Sequence, residues 1–263
     1  MHTDYCRDFL KGRCHRDHCK FVHGTPSTDR APTLGHVNRP RPRKPRNTEV
    51  FTPMTRPVDM RIIVDTSKWA LTNPVSSRDV LVFPNIFSDY SYNHLFNLLH
   101  TELYSSGVPE VDLLKLWHGN ETVPGTHLIA NDRTPWKSKC DTFKLVVDRL
   151  AAFFRMEVKA TRFNLYTDTS QWKPFHFDAA AVDPKKAETQ NFTVAVSFGA
   201  TREAAFERAD GHGTVVSIPQ PDGWVYCFAK DINITWRHGI LQELPVRDAP
   251  RISVILWGAI EIV

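Results

Sequence analysis

Long hydrophobic runs are missing from this sequence. No apolar stretch approaches the ~18 residues that a bilayer-spanning helix needs, so a membrane is not among the expected partners. The opening MHTDYCRDFL lacks the apolar stretch of a secretory leader. Cysteine is scarce, with five among 263 residues, too few and too unevenly placed for a disulfide framework. Three of them, Cys6, Cys14 and Cys19, nevertheless fall within the first twenty residues. That clustering suits metal ligation in a reducing compartment, and a nuclear or cytoplasmic location is expected. No internal repeat is present.

Acidic residues are sparse at the front of the chain. Residues 1–46 carry eleven Lys/Arg against four Asp/Glu, whereas residues 47–263 carry twenty-two against twenty-five. The formal charge is therefore +7 in the first segment and −3 in the second, which together make the net +4. A cationic front end meets a polyanion most readily, and nucleic acid is the expected partner there.

What is present divides the chain in three. A cysteine-bearing module occupies residues 1–26, a basic Pro/Arg-rich linker residues 27–75, and a larger domain residues 76–263. Within the last, VLVFPNIF from Val80 reads as a buried strand ending near Pro84. Tyr92, Leu95, Phe96, Leu99 and Leu103 recur at helical spacing, and Cys140 to Phe154 reads as a second helix. From Lys159 onward the texture changes to short β-rich stretches separated by turn signals such as Gly211-His212-Gly213 and Pro221-Asp222-Gly223. Helices followed by six or more strands predict an α+β fold with a double-layered sheet or barrel at the C-terminal end. Cys140 and Cys227 have no ligand-type neighbours in sequence and read as core residues.

In the first module, Cys6-x7-Cys14-x4-Cys19-x3-His23 offers three thiolates and one imidazole, the set that closes a tetrahedral structural Zn(II) site. So short a segment buries too little surface to fold alone, and metal binding supplies the folding free energy. His15 and His18 compete as ligands, but the x3 spacing favours His23. Phe9 and Phe21 lie among Arg7, Lys11, Arg13, Arg16 and Lys20; rings to stack on bases and cations to meet phosphates suit single-stranded RNA. The spacing resembles the CCCH zinc-finger family, whose members commonly bind single-stranded RNA and in some cases bind proteins. The basic stretch Arg39 to Arg46 reads either as a solvated linker or as a nuclear-import signal.

In the larger domain, His176 and Asp178 are two apart in a β-rich stretch, so both project to one side. His238, from a distant segment, is the best third member of a two-His-one-carboxylate set, the facial triad that holds nonhaem Fe(II). On the last strand Arg251, Ser253, Ile255 and Trp257 share a face, and a cation buried there needs an anionic partner. The carboxylate of 2-oxoglutarate is suited to pair with it. Asn164 and Tyr166 share a face of FNLYT.

These elements, Asn164-x-Tyr166, His176-x-Asp178, Val196 to Glu207, His238 and Arg251-x-Ser253, occur in the order in which the AlkB-like family of Fe(II)/2-oxoglutarate-dependent dioxygenases carries them. The resemblance spans about residues 78–263. It implies a double-stranded β-helix (jelly-roll) core with supporting helices, iron held by His176, Asp178 and His238, and 2-oxoglutarate contacted by Asn164, Tyr166, Arg251 and Ser253. In that family dioxygen and 2-oxoglutarate are used to hydroxylate a methyl group, often on a nucleobase, which leaves as formaldehyde. The family's second arginine, six residues after the first, is Trp257 here, and Arg162 is the expected substitute. The family's substrate lid would fall at residues 109–140, where Trp117, His118, His127, Asn131, Arg133 and Trp136 offer stacking and polar contacts to a flipped base. The expected activity is oxidative demethylation of methylated nucleic acid, RNA favoured, with the finger assisting. The alternatives are an RNA-binding protein with an inactive oxygenase fold and a protein hydroxylase or demethylase.

Overall fold

The computed structural model describes residues 5–15, 17–24, 60–106, 115–118, 126–131, 139–211 and 213–263, with backbone alone for the two strands at 115–118 and 126–131. The chain forms two compact units, Met1–Arg56 and Pro57–Val263. In the first, Cys6 precedes a single helical turn, α1 (Arg7–Leu10), and Gly12 at φ 68° turns the chain back. The returning segment pairs with the start through a Tyr5–Val22 bridge, where the Cys6 N–H donates to the Val22 carbonyl at 2.9 Å. Cys6 is 5% exposed, and the other described side chains of this unit are half-buried or exposed. Among the described residues there is no apolar core to hold it together.

The second unit opens with β1 (Arg61–Val64) and β2 (Asp79–Phe83), followed by α2 (His94–Ser105), β3 (Lys115–His118), β4 (Thr126–Asn131) and α3 (Asp141–Phe154). Next come β5 (Glu157–Tyr166), β6 (Lys173–His176), α4 (Pro184–Ala187), β7 (Phe192–Gly199), β8 (Arg202–Arg208) and β9 (Val215–Gln220). The chain ends with β10 (Val225–Ala229), α5 (Lys230–Thr235), β11 (Trp236–Ile240) and β12 (Arg251–Ala259). One sheet runs β1-β2-β10-β7-β12-β5-β4-β3 and the other β6-β11-β8-β9. From β5 onward the strands are dealt alternately to the two sheets, with β8 and β9 together in the smaller one. That is the winding of a jelly roll, here two facing sheets and not a closed barrel.

Two apolar layers hold this arrangement. On one side of the larger sheet, Ile252, Val254 and Leu256 of β12 pack with Leu95, Leu99 and Leu103 of α2 and Phe143, Val146 and Leu150 of α3. On the other side, Ile255 and Trp257 of β12 pack with Ala204 and Phe206 of β8, Ile218 of β9 and Trp236 of β11, filling the space between the sheets. Strands covered on both faces have no solvent side, which is why FTVAVSFG and RISVILWGA lack polar alternation. The Glu102 carboxylate on α2 accepts from the N–H groups of Thr142 (2.8 Å) and Phe143 (3.3 Å), satisfying donors that the first turn of α3 would leave open. Gly258 is required by close approach: a Cβ there would lie 2.1 Å from the Glu157 carbonyl oxygen.

Three expectations shift. The stretch expected as linker to residue 75 contains β1, and Val75 is 1% exposed in the core. The reason is Asp79, a fully buried carboxylate that recruits Arg61 through bonds of 2.7 and 2.9 Å and so fastens β1 to the sheet. Tyr92 lies outside α2 and is 72% exposed, because Asn93 at φ 61° breaks the chain before the helix starts. Finally, β8 and β11 are strands whose arginines and two glutamates mask their alternation.

Candidate metal centre and adjoining pocket

His176 ends β6 and faces His238 of β11 directly across the pairing register. Asp178 follows in extended backbone, φ −69° and ψ 153°, which turns its side chain to the same side as His176. The potential ligand atoms of all three lie within 4.8 Å of one another. The imidazoles are 4.4 Å apart between centroids, and His238 Nε2 is 3.5 Å from Asp178 Oδ1.

Surrounding groups hold each of them. Asp178 accepts from the Thr193 hydroxyl at 2.9 Å, and its own N–H donates to Asn233 Oδ1 at 2.9 Å. His176 Nδ1 lies 2.9 Å from the Pro174 carbonyl, which fixes a tautomer with Nδ1–H and leaves Nε2 as the free lone pair. Burial, aided by the charge of Lys173, pushes the His176 pKa well below its usual value, so the ring is neutral, as a ligand must be. Burial alone would raise the Asp178 carboxyl, but His238 beside it, together with His176 and Lys173, outweighs burial and holds it below the usual carboxylate range. His176 Nε2 and His238 Nδ1 are buried without hydrogen-bond partners among the described residues. Two imidazoles and one carboxylate on one side of a cavity make a donor set that fits Fe(II).

A second group assembles next to it. Ser253 lies opposite Asn164 on β5 and Ser197 on β7, and Arg251 lies opposite Tyr166. Arg251 is 0% exposed; its Nε donates to Ser197 Oγ at 2.6 Å, and its guanidinium stands 5.2 Å from the Tyr166 ring centre. Its Nη1 and Nη2 have no hydrogen-bond partner among the described residues, nor do both amide atoms of Asn164. Burial lowers the Arg251 pKa, yet an arginine stays protonated at any ordinary pH, so an unpaired cation is kept inside the protein. Asn164, Tyr166, Ser253, His176 and His238 line one inner cavity. An outer cavity of about 440 Å³ begins on the other side of His176 and Asp178 and is bordered by Arg162, Phe177, Lys186, Gln190 and Trp257.

All seven expected residues of this site are therefore brought together. Arg162, the expected substitute for the arginine absent at 257, lies 5.1 Å from the Trp257 ring centre and faces the outer cavity. Ser197, Thr193, Asn233 and Lys173 were not anticipated. A signal existed for two of them: Thr193 and Ser197 are hydroxyls spaced by four inside an otherwise apolar strand, on the face that carries Ala195. The supposed lid side chains Trp117, His118, His127, Asn131, Arg133 and Trp136 lie outside the described residues, as does the basic stretch 39–46.

In the first unit the ligand atoms of Cys6, Cys14, Cys19 and His23 lie within 4.8 Å of one another, which selects His23 over His15 and His18. The Phe9 backbone N–H, followed by weaker contributions from Cys19, Asp8 and Cys14, lowers the Cys6 thiol pKa against the opposing effect of burial. A lowered thiol pKa favours the ligating thiolate. Phe9 stacks on His23 at 4.2 Å and Phe21 is 38% exposed, with Lys20 over its ring.

The family profile described as "ZAP-like CCCH zinc finger" matches residues 2–29. The N-terminal segment is a CCCH zinc finger. No curated protein matches the chain. Among solved structures 225 chains match. One of them, titled "The structure of OsALKBH1", aligns with 71% of this chain and 100% of its own at 12% identity and a TM-score of 0.45. At that score the likeness says nothing of chemistry, which rests on the residues.

Proposed function

We propose that the larger unit is an Fe(II)/2-oxoglutarate-dependent dioxygenase acting by oxidative demethylation on methylated nucleic acid, RNA favoured, with the zinc finger assisting substrate binding. One observation carries the oxygenase reading: His176 and His238 border a cavity whose wall also carries Asn164, Tyr166 and Ser253, and a fully buried arginine with two unpartnered nitrogens stands against that Tyr166. A buried cation of this kind is costly unless a ligand completes it, and a small dicarboxylate does so bidentately. His176, Asp178 and His238 would hold the iron. Arg251, Ser253, Asn164 and Tyr166 would hold 2-oxoglutarate.

When bound, iron and 2-oxoglutarate would supply the oxidising power that inserts one oxygen atom of O2 into a methyl C–H bond, the other oxygen ending in succinate as the 2-oxo acid loses CO2. The protein's own part is positioning. Thr193 and Asn233 fix Asp178, and Pro174 fixes the His176 tautomer. Phe177 and Trp257 line the outer cavity, where they limit water on the substrate side. Nucleic acid is supported by the finger, with its exposed rings among cations, and by the charge of residues 1–46. Mass spectrometry of nucleosides and formaldehyde, after incubation of the full chain with Fe(II), 2-oxoglutarate and methylated RNAs and DNAs, tests the reading. Loss of the methyl group with formaldehyde release is expected. Succinate formed without any nucleoside change would point to a protein substrate, and no succinate at all to an inactive fold.

A further inference from the structure

Lys173 opens β6 and its backbone pairs with Ile240. In sequence it reads as an ordinary surface lysine beside a proline, yet it is 6% exposed and lines the inner cavity with Asn164, Tyr166, His176, His238 and Ser253. Gly239 is what admits it: a Cβ at 239 would lie 2.5 Å from the Lys173 carbonyl oxygen, so only glycine lets β6 come this close to β11. Among the described residues no hydrogen bond or ion pair reaches the Lys173 ammonium. Burial lowers its pKa to about 8, against the opposing pull of Asp178, so the charged form still predominates at neutral pH.

Two buried cations thus stand in this region, Lys173 in the wall of the inner cavity and Arg251 against the cavity-lining Tyr166, with the single carboxylate of Asp178. The two cations act at different ends. Lys173 is felt by His176 and Asp178, whereas Arg251 donates to Ser197 and stands against the Tyr166 ring. Arg162 faces the outer cavity and stacks on Trp257.

We propose that Lys173 is a ligand-binding residue that pairs with the metal-proximal carboxylate of a 2-oxo acid, while Arg251 pairs with the distal one. Lys173, and not Arg162, then supplies the cation that Trp257 does not. This assignment rests on the reading of the cavity as a 2-oxoglutarate site. It explains why an ammonium without a protein acceptor is kept inside: a bound dianion completes both cations, and a monoanion only one of them.

The test is calorimetric titration of the full chain carrying Mn(II), using 2-oxoglutarate and 2-oxobutyrate, which lacks the distal carboxylate. Wild type, Lys173→Met and Arg251→Met are compared. Losing one charge-assisted contact weakens binding by about ten- to a hundredfold. Arg251→Met is expected to lose affinity for 2-oxoglutarate alone, and Lys173→Met to lose it for both acids by a similar factor. Metal-free Lys173→Met is expected to melt at or above the wild-type temperature, because an unpaired buried charge has been replaced by a side chain of similar length. Wild-type affinity of Lys173→Met for either acid overturns the proposal, as does a lowered melting temperature, which would mark a structural role. If Arg251→Met alone weakens binding, the cavity remains a 2-oxoglutarate site and only the lysine assignment falls. If wild type binds neither acid, both fall.

Discussion

The two metal-ligand clusters differ in what holds them. Cys6, Cys14, Cys19 and His23 converge in a segment whose described side chains are mostly exposed, with one helical turn and one bridge for support. His176, Asp178 and His238 converge because β6 and β11 pair in a sheet that packs on the larger one through a continuous apolar layer. In the first case the metal makes the structure; in the second the structure makes a place for the metal. The contrast separates a staple from the proposed reactive centre without reference to any relative.

Removing metal breaks the comparison most completely. Structural zinc contributes about 10–16 kcal/mol in isolated fingers. A strong chelator should therefore collapse the finger's NMR signals and leave the melting transition of the larger unit in place. Cys14→Ser should act like the chelator, and His176→Ala should leave both folds intact. Loss of the larger unit's transition on chelation would show that its cluster is structural as well.

The next effect sharpens the contrast inside the larger unit, between two buried arginines. Arg202 is 2% exposed and donates to the carbonyls of Asp168, Thr169, Gln171 and Leu241. Arg251 has Ser197 and two unpartnered nitrogens. Arg202→Met strands four carbonyl acceptors and should cost about 3–5 kcal/mol in urea denaturation. Arg251→Met should cost under about 1 kcal/mol, and a cost as large as that of Arg202→Met would make Arg251 a structural residue too. Gly258→Ala should cost about 1–3 kcal/mol, since a Cβ 2.1 Å from the Glu157 oxygen forces β5 and β12 apart. The smallest effect belongs to Arg149, whose bidentate pair with Asp89 (2.7 and 2.8 Å) is part-exposed. Arg149→Ala should cost about 0.2–1 kcal/mol and less in high salt.

Much of this was legible in the sequence, for reasons particular to the residues concerned. The zinc ligands were readable because their spacing alone brings four donors together. His176 and Asp178 were readable because extended backbone puts alternate residues on one side. Arg251 stood out as a cation in an apolar strand. Lys173 did not, because nothing in WKPFHFD shows that Gly239, sixty-six residues later, lets its strand sink against β11. The strand β1 reads as linker in sequence because the ion pair that fastens it, Arg61 to Asp79, joins two charged residues whose pairing is visible only in three dimensions. Strands β8 and β11 were hidden by charge. Arg202 and Arg208 look solvent-facing in sequence, yet the first is the structural arginine.

Succinate formation from 2-oxoglutarate by the purified full chain, followed with and without Fe(II) in wild type and in His176→Ala, tests the central claim most directly. The account predicts iron-dependent succinate release that methylated RNA stimulates and that His176→Ala abolishes. Succinate release that persists in His176→Ala, or none from the wild-type protein loaded with iron, would contradict it.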